Sequence, residues 1–309
     1  KAFTALTRFL DWSGGLPAKG DAYYLPRFFR QYLDSRGEVS AAEVRRAIDA
    51  DRAAEPRPKE PLGPFQRVDI AFLGVWDTVM ALGSRFRAAG ESTSTASRSF
   101  HVGARPADCV RHARQALAID EARYDFRPEV WTDRQPHQTL EQRWFAGVHS
   151  NVGGGYVDDG LANLAYHWML DEAVEQGLAL SGDFAEIYRG YPQDRLYRSE
   201  SWLYRLLDGV RLRFGRGRRS LSGWPAAAGL SLSPAVIHRL QADPEARKAN
   251  GELRFPALRQ LYRPENVLRF LACQSDLDRY LEELGLADPA ARALPADVVV
   301  RLAELRNEC

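Results

Sequence analysis

The chain has 309 residues, 45% of them hydrophobic and 27% charged, which is enough for one large α/β domain or two ordinary ones around a real core. Forty-two basic and 41 acidic side chains leave a formal charge of +1, so no global field favours nucleic acid as a partner. The longest apolar run, 68–76, is broken by Asp69 and falls far short of the roughly eighteen residues of a membrane-spanning helix, so the chain reads as soluble or at most peripheral to a membrane.

In chain order, Phe3, Leu6 and Leu10 have helical spacing and predict a helix over 2–12, stopped by Ser13-Gly14-Gly15-Leu16-Pro17. Ser40 with Glu43 is a capping-box pair for a helix running to about Arg52, and the four prolines of 55–64 then impose an exposed connection. Val68 to Val75 is almost continuously apolar, as in a central parallel strand covered on both faces. Residues 87–99, rich in Ser, Thr, Ala and Gly, predict a mobile loop. Ala107, Val110, Ala113 and Leu117 mark one face of a helix, and Arg143 to Val148 is a second, shorter strand. Leu161, Leu164, Ala165, Trp168 and Met169 form the best amphipathic helix, ending near Gly177.

Beyond residue 183 the pattern is irregular, with helices near 275–285 and 296–307 and no fixed repeat. The division expected is therefore an α/β sheet domain over 1–182 and a mostly helical cap or carboxyl-terminal region over 183–309. Cys109, Cys273 and Cys309 are odd in number and widely spaced, which predicts neither a disulfide framework nor a metal knuckle. His101, His112, His137, His167 and His238 have no histidine or cysteine four positions on, so no zinc site and no cofactor are expected. The Arg-rich run 205–219 mixes apolar and cationic residues; it reads as a solvated face or as a surface that rests on anionic headgroups.

Two positions could carry chemistry. The strand at 68–75 runs straight into Trp76-Asp77-Thr78, which puts a carboxylate at the carboxyl end of a strand, where open α/β sheets place their sites. Capping of a following helix is the alternative use of Asp77. The second strand delivers His149 in Gly147-Val148-His149-Ser150-Asn151-Val152-Gly153-Gly154-Gly155-Tyr156. Three glycines so close to a histidine argue for close approach by a substrate or another backbone, with a phosphate cradle or a simple turn as alternatives. An acid and then a histidine, each after a strand, follow the chain order of α/β-hydrolase acid and base. That order requires an earlier serine nucleophile, yet Ser13, Ser35 and Ser40 do not lie in GxSxG.

Three ordered blocks carry a resemblance: 72–79 (Phe72-Leu73-Gly74-Val75-Trp76-Asp77-Thr78-Val79), 116–128 around Asp120-Glu121-Ala122-Arg123, and 145–156 around His149. Together they resemble the α/β-hydrolase domains that include the phospholipase effectors of bacterial type VI secretion systems. The likeness runs from residue 1 to about 177 and more loosely through Leu232 to Leu240 and Tyr262-Arg263-Pro264-Glu265-Asn266. Ala2-Phe3-Thr4 is similar to the residues after the family's Gly-Phe-Ser-Arg-Gly elbow, which would set the nucleophilic serine two residues before Lys1. The resemblance thus implies the later part of such a fold, cut just after the elbow, with the earlier strands and oxyanion-hole residues outside the chain.

By the same resemblance Asp77 is the triad acid and His149 the general base. Trp76, Thr78, Ser150, Gly153, Gly154, Gly155 and Tyr156 would bind substrate or shape the loop, and Asp120, Glu121 and Arg123 would support it as a charged cluster at a helix end. The chain departs from the family at Lys1, where the second elbow glycine is expected, at Gln115, usually histidine, and at Asn151, often aspartate. The implied activity is carboxylic-ester hydrolysis of phospholipid; a degenerate, non-catalytic interaction module is the alternative. The implied partners are an acyl-ester lipid, a membrane surface, secretion machinery and an immunity protein, with no nucleic acid. The implied setting is synthesis in the bacterial cytoplasm and delivery by type VI secretion, without a signal peptide.

Overall fold

The computed structural model describes residues 2–35, 38–57, 59–79, 103–123, 126–182, 187–198 and 219–309. The amino-terminal helices are α1 (Ala2–Ser13), α2 (Leu25–Ser35) and α3 (Ala41–Ala53). Helix α3 starts where its first turn is satisfied in both directions. Ser40 Oγ accepts from the Glu43 N–H at 3.2 Å, and Glu43 Oε2 accepts from the Ser40 N–H at 2.8 Å. Helix α1 forms as expected but buries a different face. Phe3 and Leu6 are 70% and 43% exposed, whereas Ala5, Phe9 and Leu10 are buried. Phe9 sets the rotation, because its ring meets Phe29 and Tyr32 of α2 edge-on at 5.2 and 5.7 Å.

Among the described residues four strands follow: β1 (Ile70–Trp76), β2 (Val110–Ala118), β3 (Thr139–Phe145) and, past the helices α4 (His149–Gly153) and α5 (Gly160–Glu175), β4 (Leu230–Leu232). They form a parallel sheet in the order β1-β2-β3-β4 with helices flanking it, an α/β fold. The β3–β4 register pairs Gln142 with Leu230 and Trp144 with Leu232. Strand β1 lies at one end of this order among the described residues, and it is β2, not β1, that is covered on both faces.

The helix expected around 107–117 is instead strand β2. Six consecutive residues, Ala113 to Ala118, are buried. A strand enclosed on both sides has no polar face, so apolar side chains at chance helical intervals mimic an amphipathic helix. Its polar members are satisfied: Arg114 Nε donates to Glu172 of α5 at 2.5 Å, and Gln115 Nε2 donates to Gln142 of β3 at 2.9 Å. The second strand lies a few residues earlier than expected, and α5 covers the predicted stretch with Leu161, Ala165, Trp168 and Met169 buried.

After β4 come α6 (Pro234–Gln241), α7 (Glu265–Ala272), α8 (Leu277–Glu283), a turn α9 (Pro289–Arg292) and α10 (Ala296–Arg306). Ser233 opens α6 by accepting the Ala235 N–H, with Pro234 at the first helical position. Helix α10 packs on α7, and Trp144, Leu232, Ile237, Leu240, Leu271 and Val298 share one core. Each such side chain contributes about 1.5–3 kcal/mol by leaving water. The region expected to be a helical cap therefore also supplies a strand to the sheet. Cys273 and Cys309 form a disulfide, contrary to the expectation from their spacing. Helical packing brings the end of α7 to the residues after α10, which counting cysteines cannot show. Cys109 remains a buried free thiol, pushed up to about 12 by burial and by Asp11.

Spatially the chain divides into two compact units. One comprises 1–73, 81–113 and 133–139; the other comprises 74–80, 114–132 and 140–309. Asp77, His149 and the residues discussed with them below belong to the second. The stretch 87–99 and residues 205–218 of the Arg-rich run lie outside the described residues.

Candidate active site

The carboxyl end of β1 is pinned where the backbone must turn. Asp77 N–H donates to Ala116 O at 2.7 Å, extending the ladder to β2, and Asp77 itself has φ of +38°. Aspartate is among the few non-glycine residues that tolerate this left-handed region. The turn sends its side chain into the protein, where it is 0% exposed. Oδ1 accepts the Ala118 N–H at 3.0 Å, and Oδ2 lies 2.6 Å from His149 Nδ1. Among the described residues, the partners of the Asp77 carboxylate are thus Ala118, His149 and Arg219, and none is the backbone of a helix N-terminus following it.

The structure also brings to this carboxylate a group the sequence did not single out. Arg219 is buried and grips Asp77 with both terminal nitrogens: Nη1 donates to Oδ1, and Nη2 donates to Oδ2 at 3.0 Å. Nη1 also donates to Ala118 O at 2.7 Å, and Nη2 to Phe126 O. Asn266 Nδ2 bonds the backbone carbonyl of Arg219 at 3.0 Å. The arginine closes a run that reads as solvated, so only the distal block containing Asn266 hinted that the later chain reaches this site. Burial pushes the Asp77 carboxyl up, but the His149 bond, the Arg219 charge and bonds and the Ala118 N–H outweigh it, and the group lies below the ordinary carboxylate value.

An ionised carboxylate has no proton to give, so Nδ1 of His149 must be the donor in the 2.6 Å bond. A singly protonated imidazole then carries its free lone pair on Nε2, the arrangement a general base needs. The His149 side chain is 30% exposed and so is open to a reactant.

The loop beneath the imidazole is fastened at two points, one of them braced by a tyrosine. Gly147 N–H donates to Asp120 Oδ2 at 2.7 Å, and Tyr262 Oη donates to the same oxygen at 2.9 Å. The His149 N–H donates to Glu121 Oε2 at 3.2 Å. Arg123 answers Glu121 with a two-pronged pair at 2.9 Å on each oxygen, and the Glu121 carboxyl, pushed up by burial, is brought net below its usual value by that pairing. Arg123 also lies over the Phe126 ring at 3.5 Å, whose edge meets His149 at 5.2 Å. Asp120, Glu121 and Arg123 follow a strand, not the expected helix end.

Gly147 has φ of +123°, and a Cβ there would lie 2.5 Å from that of Asn151. The glycines after α4 serve differently. Gly154 and Gly155 have positive φ, and among the described residues beyond their chain neighbours nothing stands within 4 Å of the space a Cβ would take at Gly153, Gly154 or Gly155. Among the described residues, no other backbone makes a close approach there. Tyr156 stacks on Tyr197 at 3.9 Å, Ser150 is half-buried in the first turn of α4, and Trp76 is half-buried at the end of β1. Thr78 is buried, and its N–H donates to Gln115 Oε1 at 3.2 Å. Two of the three positions that depart from the family pattern are thus bonded: Gln115 bridges Thr78 and Gln142, and Asn151 Oδ1 accepts the Tyr197 N–H at 3.1 Å. Among the described residues, no group of three or more His, Cys, Asp or Glu side chains could hold a metal ion.

The class is that of an α/β protein with a parallel sheet and, at the carboxyl edge of that sheet, a buried carboxylate hydrogen-bonded to a partly exposed imidazole. A model of the family described as "T6SS, Phospholipase effector Tle1-like, catalytic domain" matches residues 2–172, more than half of the chain, and the chain belongs to that family. A lipid substrate and a type VI secretion setting accompany membership at that coarse level. No curated protein and no solved structure matches the chain. Among the described residues, no helix is long and apolar enough to cross a membrane.

Proposed function

We propose that this chain supplies the acid and the base of a serine hydrolase acting on the acyl esters of phospholipids, the nucleophilic serine being carried by polypeptide that precedes Lys1. The observation behind this is the 2.6 Å bond from His149 Nδ1 to a buried, ionised Asp77. Nε2 takes the proton of the serine hydroxyl as its oxygen attacks the ester carbonyl, and Asp77 stabilises the imidazolium formed. The same proton passes to the departing alcohol of the lysolipid. Water, deprotonated by Nε2, then releases the fatty acid from the acyl-enzyme. Trp76, Thr78, Ser150 and the 153–156 loop would line or shape the acyl site, with Asp120, Glu121 and Arg123 holding the loop in place.

A second reading, a non-catalytic interaction module, draws support from Arg219, which already neutralises Asp77 and so lessens the charge available to an imidazolium. Phospholipid hydrolysis by a chain extended upstream through the elbow separates the two. Release of fatty acid that disappears in both His149→Ala and the elbow serine variant supports the hydrolase. A folded, inert extended chain supports the module, and turnover by the 309-residue chain alone would refute the upstream serine.

A further inference from the structure

A concavity of about 470 Å³ opens in the same unit as Asp77 and His149, and its walls are cationic. Among the described residues, Arg195, Arg198, Arg239 and Arg259 line it, and no Asp or Glu does. Arg239 is the informative member. It is 3% exposed, its Nη1 donates to the carbonyls of Pro192 and Asp194 at 2.5 and 2.7 Å, and its Nε is buried with no partner. Among the described residues, no carboxylate lies within ion-pair distance of it; Asp194 and Asp120 act on it only at longer range. The guanidinium lies over the Tyr262 ring, 5.2 Å from its centre.

A guanidinium taken out of water without a counter-ion is costly, and an unmet buried donor in a folded protein calls for a ligand or another explanation. The planar fork of arginine matches the oxygens of a phosphate group. Arg195 is partly answered by Asp158 at 3.6 Å, which leaves the cationic excess with the other three. The position relative to the imidazole is also specific. Tyr262 bonds Asp120, which holds Gly147, and the Tyr197 N–H bonds Asn151 in the helix that begins with His149.

We propose that this pocket is a binding site for a phosphate-class anion, built around Arg239 and entered past Arg198 and Arg259. If the hydrolase reading of the Asp77–His149 site holds, the anion is the headgroup phosphate of the substrate, held one side chain away from the His149 loop; if not, the pocket takes free phosphate.

The test measures binding without turnover on the full 309-residue chain, by calorimetry and thermal melting with inorganic phosphate, sn-glycerol 3-phosphate and a short-chain monomeric phosphatidylglycerol, against chloride at equal ionic strength. Saturable binding of at least one is expected, weakened at least tenfold in Arg198→Glu/Arg259→Glu, whose exposed positions should not disturb folding, and in Arg239→Gln, if folded. Tighter binding of the lipid or glycerol phosphate identifies the headgroup, and preference for inorganic phosphate identifies the free anion. His149→Ala should bind as the parent does, which keeps this result independent of the hydrolase reading. No binding beyond the chloride control, or binding unchanged in the double reversal, overturns the proposal.

Discussion

Arg219 and Asp77 lie 142 positions apart in the chain and meet as a buried, two-pronged ion pair, on the same carboxylate that accepts from His149. The acid is thus held by a cation on one side and an imidazole on the other.

Asp77→Asn should separate the two loads this residue bears. In the upstream-extended protein it should lower kcat by about 10³–10⁴-fold, the scale for loss of a triad acid. Stripping Arg219 of its counter-ion should also destabilise the fold by about 3–5 kcal/mol. His149→Ala should abolish turnover with little change in melting temperature. Parallel kinetics and thermal melts check the contrast; equal stability losses in both variants would contradict it.

Acid should unfold the protein in part through Asp77. Its folded value is depressed, so the stability it contributes is fully present above the unfolded carboxylate range, near pH 4, and is lost as pH falls through the folded value. Glu121, depressed through its pairing with Arg123, adds stability in the same sense. Melting temperature plotted against pH should fall less steeply on the acid side in Asp77→Asn than in the parent.

Arg219→Met should leave Asp77 buried without its cation and move that acid limb to higher pH, while Arg219→Lys should restore it only in part, since an ammonium cannot match both carboxylate oxygens. Identical profiles for the two variants would show that the guanidinium fork is not what holds the charge.

Gly147→Ala should destabilise by about 1–3 kcal/mol from left-handed strain alone, with further loss from the clash against Asn151. Because Gly147 precedes the His149 turn, ester hydrolysis should fall more than stability does, as urea unfolding and kinetics on one preparation would reveal.

Reduction of the Cys273–Cys309 bridge, 36 residues apart, should cost about 3–4 kcal/mol by freeing the unfolded chain. Melts with and without reductant, and of Cys273→Ser, should agree; a bridge without effect on melting would count against it.

Asp77 and His149 were readable in the sequence as candidates because each follows an apolar strand, and because a histidine among glycines is a poor core residue. Strand β2 was not, since burial on both faces erases the period that distinguishes strand from helix. Strand β4 escaped notice because Leu230-Ser231-Leu232 is too short to show alternation. Arg219 was hidden by its own neighbourhood: in a run of arginines nothing local marks the one that turns inward, and its partner is fixed only by tertiary structure. The disulfide was missed for the same reason.

The location of Arg219 bears on how this protein can be cut. The span shared with the family stops at residue 172, so a piece trimmed to that limit would retain Asp77 and His149. It would forfeit the guanidinium that neutralises the acid, the tyrosine at position 262 that braces Asp120, and the strand that flanks β3. Homology would declare such a piece a domain, but its charges and hydrogen-bonding edge would have no counterparts. The smallest fragment fit to hold the acid and the imidazole together must extend beyond Asn266.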